Sequence, residues 1–135
     1  MKPLDTITTE EWGRLLAQVF QRVSAEPRVK PILEAIGPLR FQLLLTDRPE
    51  LSYWEEYTGD RVVPHLGVTQ ERSVQAATTF PMLTGTLLRR VSLMEAAAEE
   101  AWDIKGDTEA LLRCANLLPY VMTTFSEVLG ERGIT

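Results

Sequence analysis

Few side chains in this sequence are equipped for chemistry. Among 135 residues there is one histidine, His65, and one cysteine, Cys114. Histidine alone has an ordinary pKa suited to a general base near neutral pH. His65 stands between Pro64 and Leu66 with no Ser or Cys motif beside it, and reads as a strand histidine satisfied by backbone or water. Cys114 falls on the apolar face of a helix, where an inert core thiol is expected. A single cysteine cannot form an internal disulfide or a zinc site of several thiolates, and a single histidine cannot form a His cluster.

The carboxylates include two adjacent pairs, Glu55-Glu56 and Glu99-Glu100. Neighbours on a strand point to opposite faces, so Glu55 and Glu56 cannot act as a dyad on one substrate. Both pairs are expected to be solvated surface groups. Arg89-Arg90 reads as a solvated helix end, with a carboxylate or phosphate headgroup as the alternative partner. There is no phosphate-binding glycine loop, no HExxH and no GxSxG. A hydrolase or transferase using His65 or Cys114 stays open but unsupported by these residues; the expectation is a protein that is not an enzyme and uses no cofactor and no metal.

The elements that position these groups start with a clear helix. Trp12, Leu15, Leu16, Val19, Phe20 and Val23 form one stripe at helical spacing. Thr8 and Glu11 make a capping box at its start, Ile7 is placed to staple onto Trp12, and Pro27 follows its end. A second short helix, about Arg28 to Ile36, stops at Gly37-Pro38. The period then changes. Leu39, Phe41, Leu43 and Leu45 alternate with polar residues as a half-buried strand, and Leu44 suggests that its second face is partly covered. Strands from Leu51 to Tyr57 and from Arg61 to Leu66 follow through short turns, which makes the three an antiparallel meander.

Ser73 to Thr79 fits either a strand or a helix. Short helices follow, one with Pro81 in its first turn and one capped by Ser92, then a strand through Trp102 and Ile104. Asp107 caps a long final helix ended by Gly130, and Pro119 within it predicts either a kink or two abutting helices. The strands supply Trp54 and Trp102, the short helices Leu83, Leu87, Leu93 and Met94, and the last helix Met122 and Phe125. These residues make an ordinary core. Alternatively, small residues beside Met and Trp leave room for an apolar ligand.

The totals set the class. Hydrophobic residues at 44% and charged residues at 24% are ordinary for a soluble globular protein. With 14 Lys+Arg against 19 Asp+Glu, the net charge of −5 argues against a nucleic-acid binder and against a polybasic lipid anchor. No stretch approaches the roughly 18–20 apolar residues of a membrane span, so no stable membrane insertion is expected. Met1 to Thr9 lacks the basic start and apolar run of a signal peptide, and a cytoplasmic location is expected. The length suits one domain, residues 1–135, with 1–38 as an N-terminal helical extension and 39–130 as the core.

From Arg72 to Leu118 the sequence resembles the sterol carrier protein 2 family, the SCP2-like lipid-binding proteins. Val74-Gln75-Ala76-Ala77-Thr78 matches a short strand of that family. Phe80 to Leu88 matches its Phe/Leu-rich helix, and Leu93-Met94-Glu95-Ala96-Ala97 its second small helix. Trp102-Asp103-Ile104-Lys105-Gly106-Asp107 matches the strand and helix start that follow. Upstream, Tyr53-Trp54 and the Gly59-Asp60 turn resemble its Trp-containing hairpin. The sequence departs from the pattern at Arg89-Arg90, at Glu100-Ala101 and at Pro119.

The resemblance implies an α+β fold: a five-stranded, largely antiparallel sheet covered on one face by helices, here preceded by two N-terminal helices. It also implies an internal tunnel for a fatty acyl lipid, a sterol-like or an isoprenoid molecule, bound without catalysis and carried or presented. On the matching positions the implied cavity wall is Trp54, Leu83, Met94, Ala97, Trp102, Leu111, Leu118 and Met122. The alternative is an SCP2-like interaction module without a freely exchanging ligand, its groove filled by a partner's helix or by the symmetry mate of a homodimer. In some bacterial relatives such a domain is an accessory factor for making lipid-soluble quinones.

Overall fold

The structure, a computed structural model, describes residues 2–135 apart from the side chain of Ala97. Helix α1 (Thr9–Ala25) begins with the expected capping box. Thr8 Oγ1 accepts from the Glu11 amide at 3.2 Å, and Glu11 Oε1 accepts from the Thr8 amide at 3.3 Å. All six residues of its apolar stripe are buried, as is Ile7. Trp12 is 0% exposed, and its indole N–H donates to the Leu51 carbonyl at 2.9 Å. Its ring meets Tyr53, Phe80 and Phe125 edge-on. One indole thus ties α1 to the sheet and to two later helices. The N-terminal helix merges with the main core.

After helix α2 (Lys30–Ile36), strands β1 (Pro38–Leu45), β2 (Tyr53–Thr58) and β3 (Val62–Leu66) form the antiparallel meander. The second strand starts at Tyr53, not Leu51, because Pro49–Leu51 coils into a 3-10 turn that carries Leu51 beneath Trp12. The segment open to two readings is strand β4 (Val74–Thr78), parallel to β1 and antiparallel to β5 (Asp103–Gly106). Hydrogen-bonded neighbours on both sides override its weak alternation. The sheet order is β3-β2-β1-β4-β5. Three of its four pairings are antiparallel.

The parallel pairing requires the chain to return from the end of β3 to the start of β4, and Gln42 holds that return. Its Nε2 donates to the Gly67 and Tyr53 carbonyls, each at 3.1 Å. Its Oε1 accepts from the Thr69 amide at 2.8 Å. Gln42 is 0% exposed, a polar group whose burial is supportable only because its amide is paired.

Helices α3 (Phe80–Leu87), α4 (Leu93–Ala98), α5 (Thr108–Ala115) and α6 (Leu118–Arg132) complete the fold. The helical layer lies on the sheet face that carries Phe41, Leu43, Tyr53, Tyr57 and Ala76. The last apolar run is two abutting helices. Pro119, in the first turn of α6, has no N–H to offer the Ala115 carbonyl, so the ladder cannot continue. Contrary to the sequence expectation, α6 runs past Gly130 to Arg132. Gly133, left-handed at φ +66°, is the residue that closes it.

Candidate ligand-binding cavity

Between the sheet and helices α3 to α6 lies a cavity of about 820 Å³, within the range of small-molecule sites. Phe41 and Leu43 of β1, Tyr53, Glu55 and Tyr57 of β2, and Ala76 of β4 form its floor. Leu83, Thr86 and Leu87 of α3, Leu111 and Cys114 of α5, and Leu118 and Val121 of α6 close over it. Two sequence features leave this room. Ala76 puts a methyl group where a strand commonly carries a branched side chain, and the break before Pro119 separates α5 from α6. The mouth is marked by exposed Leu93, Leu112, Glu100 and Asp103.

Four residues singled out in the sequence lie on this wall: Leu83, Trp102, Leu111 and Leu118. Three others do not. Trp54 is on the opposite face of the sheet, because strand alternation sends Tyr53 and Glu55 inward and the residue between them outward. There its ring stacks on His65 with centroids 4.1 Å apart, and the Arg40 guanidinium sits 4.9 Å from it. Met94 is 84% exposed. The short α4 turns Ala96 inward, and a residue two positions earlier on a helix points away. Met122 is partly buried but lies off the wall. Beyond Val121, α6 leaves the cavity and enters the Trp12 core through Phe125. The backbone of Ala97 lies in α4, and its side chain is outside the described residues.

Glu55 overturns the expectation that both members of its pair are solvated. It is 8% exposed and lines the cavity. The Tyr57 hydroxyl donates to Glu55 Oε1 at 2.5 Å. Burial pushes the Glu55 carboxyl up to about 7, against the opposing effect of that hydrogen bond. Burial also raises the phenols of Tyr53 and Tyr57, and the negative charge of Glu55 adds to the rise. Cys114 is a buried free thiol beside Tyr57, pushed up to about 12 by burial first and by Glu55 second. Strand parity paired Tyr53, Glu55 and Tyr57 on one face in the sequence. Which face the helices would cover was the missing information.

On the outer face, His65 Nε2 lies 3.0 Å from Glu56 Oε1, so its partner is a carboxylate and not the backbone or water expected. The sheet separates this pair from Cys114. Burial keeps Cys114 protonated at neutral pH, and the groups beside it are the Tyr57 phenol and the Glu55 carboxyl. No cluster of metal ligands is present among the described residues. No helix among them is long and apolar enough to cross a membrane. What this arrangement can do is enclose an apolar molecule.

No family model and no curated protein matches the sequence. The architecture does match solved structures. A protein described as "UbiJ-SCP2 Ubiquinone synthesis protein" superposes with a TM-score of 0.64 at 12% identity, over 84% of this chain and 94% of the other. The fold is SCP2-like. Sterol carrier protein 2 from Yarrowia lipolytica, in its apo form, shares this SCP2-like fold at a TM-score of 0.59 and 8% identity, over 88% and 95% of the two chains. The inverting sec-alkylsulfatase Pisa1 from Pseudomonas sp. matches at 0.61 and 14% identity, over 86% of this chain but 16% of its own. The SCP2-like fold therefore occurs both as a whole small protein and as part of a larger enzyme. At such identities the likeness is one of fold.

Proposed function

We propose that this chain binds an apolar small molecule or lipid non-covalently in the cavity and carries or presents it, without catalysing a reaction. The observation that carries this reading is the cavity of about 820 Å³ walled by Leu83, Trp102, Leu111 and Leu118. It lies between sheet and helices in an SCP2-like fold. Each methylene removed from water contributes about 0.8 kcal/mol. A chain of about a dozen carbons therefore gains enough to offset the freedom lost on binding, without specific polar contacts. In this reading residues 1–135 act as one cytoplasmic domain.

A second reading has one observation in its favour. Leu93, Met94 and Leu112 are exposed apolar residues, and two of them stand at the cavity mouth. An accessory module, for instance in the synthesis of a lipid-soluble quinone, would use this rim to receive a partner's helix or a second copy of the chain.

Native mass spectrometry of the freshly purified protein, followed by organic extraction, tests the two. A stoichiometric lipid supports the carrier. An empty protein that takes up neither dodecanol nor dodecanoate after delipidation overturns it.

A further inference from the structure

We propose that Glu55 is a ligand-recognition residue, and that the cavity takes an amphipathic molecule whose single polar head is a neutral hydroxyl, an alcohol or a phenol. The hydroxyl would sit on the Glu55 carboxyl, and the hydrocarbon would lie along Leu83, Leu111 and Leu118. This inference rests on the apolar-ligand reading and adds the chemistry of the head.

Three observations lead to it. Glu55 is more than nine-tenths buried in a cavity whose other walls are mostly apolar, a costly place for a carboxyl unless it is hydrogen-bonded. The Tyr57 hydroxyl satisfies Oε1, and among the described residues no side chain or amide hydrogen-bonds Oε2. That oxygen is not one of the buried polar atoms sealed off by protein, so it remains open to a ligand. Finally, among the described residues no lysine or arginine lines the cavity to meet an anionic head. The titratable groups facing Glu55 are Tyr53 and Tyr57 from its own strand and Cys114 from α5. Glu100 and Asp103 stand at the mouth. Its cross-strand neighbours are Phe41 on β1 and Pro64 on β3, neither of which titrates. Arg113 of α5 is directed toward Glu109 at 3.9 Å.

A hydroxyl matches this site in both protonation states. It donates to the carboxylate, and it accepts from the carboxyl while keeping a proton for another acceptor. A fatty-acid carboxylate can only accept. It therefore needs Glu55 protonated, and meets a like charge in a low-dielectric cavity once Glu55 ionises.

Equilibrium dialysis of radiolabelled 1-dodecanol and dodecanoate against the delipidated full chain, at pH 6 and pH 8.5, tests the assignment. Dodecanol should bind equally at the two pH values, and dodecanoate about tenfold more weakly at the higher one. Glu55→Gln, which keeps the shape and hydrogen-bonding capacity without the charge, should abolish the pH dependence for dodecanoate. Glu55→Leu should weaken dodecanol about tenfold. A pH dependence that persists in Glu55→Gln overturns the proposal, as does dodecanol binding indifferent to Glu55→Leu in a variant with wild-type circular dichroism. If both ligands bind wild type and the Glu55 variants change nothing, the head assignment alone falls. If neither binds wild type, the carrier reading falls with it.

Discussion

Tyr57 and Glu55, two residues apart on β2, point to the same side of the sheet, and the tyrosine hydroxyl donates a 2.5 Å hydrogen bond to the glutamate's Oε1. The bond orients a carboxyl inside a cavity that is otherwise largely apolar. Two consequences for pH and reactivity follow directly from this geometry.

The folded-state pKa of Glu55 is about 7, against 4.5 for the ordinary side chain. Between these values the folded protein holds a proton that the unfolded chain has released. Stability from this site is therefore fully present below pH 4.5, falls as pH rises, and is gone above about 7. Glu55→Gln removes the burden. Its stability advantage over wild type should grow from pH 4.5 to 7 and then level off, at roughly 3 kcal/mol. Urea unfolding at pH 4.5, 6 and 8 checks this, and a constant difference across the three would contradict the assigned burial.

Cys114 is buried and its thiol is raised to about 12, so almost no thiolate exists at pH 8. A disulfide reagent such as DTNB should react with the native protein at least about a hundredfold more slowly than with free cysteine, and promptly in denaturant. Rapid native labelling would show that α5 opens readily from the sheet.

Gly106 joins β5 to α5 with φ at +100°, and an added Cβ would lie 2.5 Å from the Ser73 carbonyl oxygen. That same oxygen accepts from the Asp107 amide at 3.0 Å. Gly106→Ala meets both an unfavourable backbone region and a backbone clash. It should cost about 2–4 kcal/mol, read as a lowered urea midpoint.

Trp12→Ala empties the junction of α1, the sheet, α3 and α6, and leaves the Leu51 carbonyl without its donor. A loss of about 3–5 kcal/mol is expected. A loss below about 1 kcal/mol would mean that α1 is dispensable to the core.

Trp54 on β2 and Leu118 on α6 should separate in function. Trp54→Ala, on the outer face, should leave ligand uptake within about twofold of wild type, since it changes only the stack with His65 and Arg40. Leu118→Trp places a large ring on the cavity wall at a partly exposed site, and should reduce uptake by more than about tenfold at unchanged fold. Equal effects of the two would place the binding site elsewhere.

The elements themselves were legible because their causes are local. The capping box at Thr8 and Glu11, the stripe from Trp12 to Val23, the meander and the break at Pro119 depend on neighbours a few residues away. So does Asp107 as a cap, its side chain accepting from the Ala110 amide at 3.1 Å. The fold class was implied by the resemblance carried from Arg72 to Leu118. The choice between strand and helix at Val74–Thr78 was not local, because it depended on hydrogen bonds from β1 and β5.

The site divides along the same line. Strand alternation in the sequence put Trp54 and Glu55 on opposite faces. Only the helical layer decided that Glu55 points into the cavity and Trp54 out to His65. Helical spacing likewise could not show that Met94 would be left exposed on a short helix, or that α6 would turn from cavity to core after Val121. Periodicity fixes which residues share a face. The inward face is chosen by contacts between segments far apart in the chain, and that choice turned a surface carboxylate into the polar group of an apolar cavity.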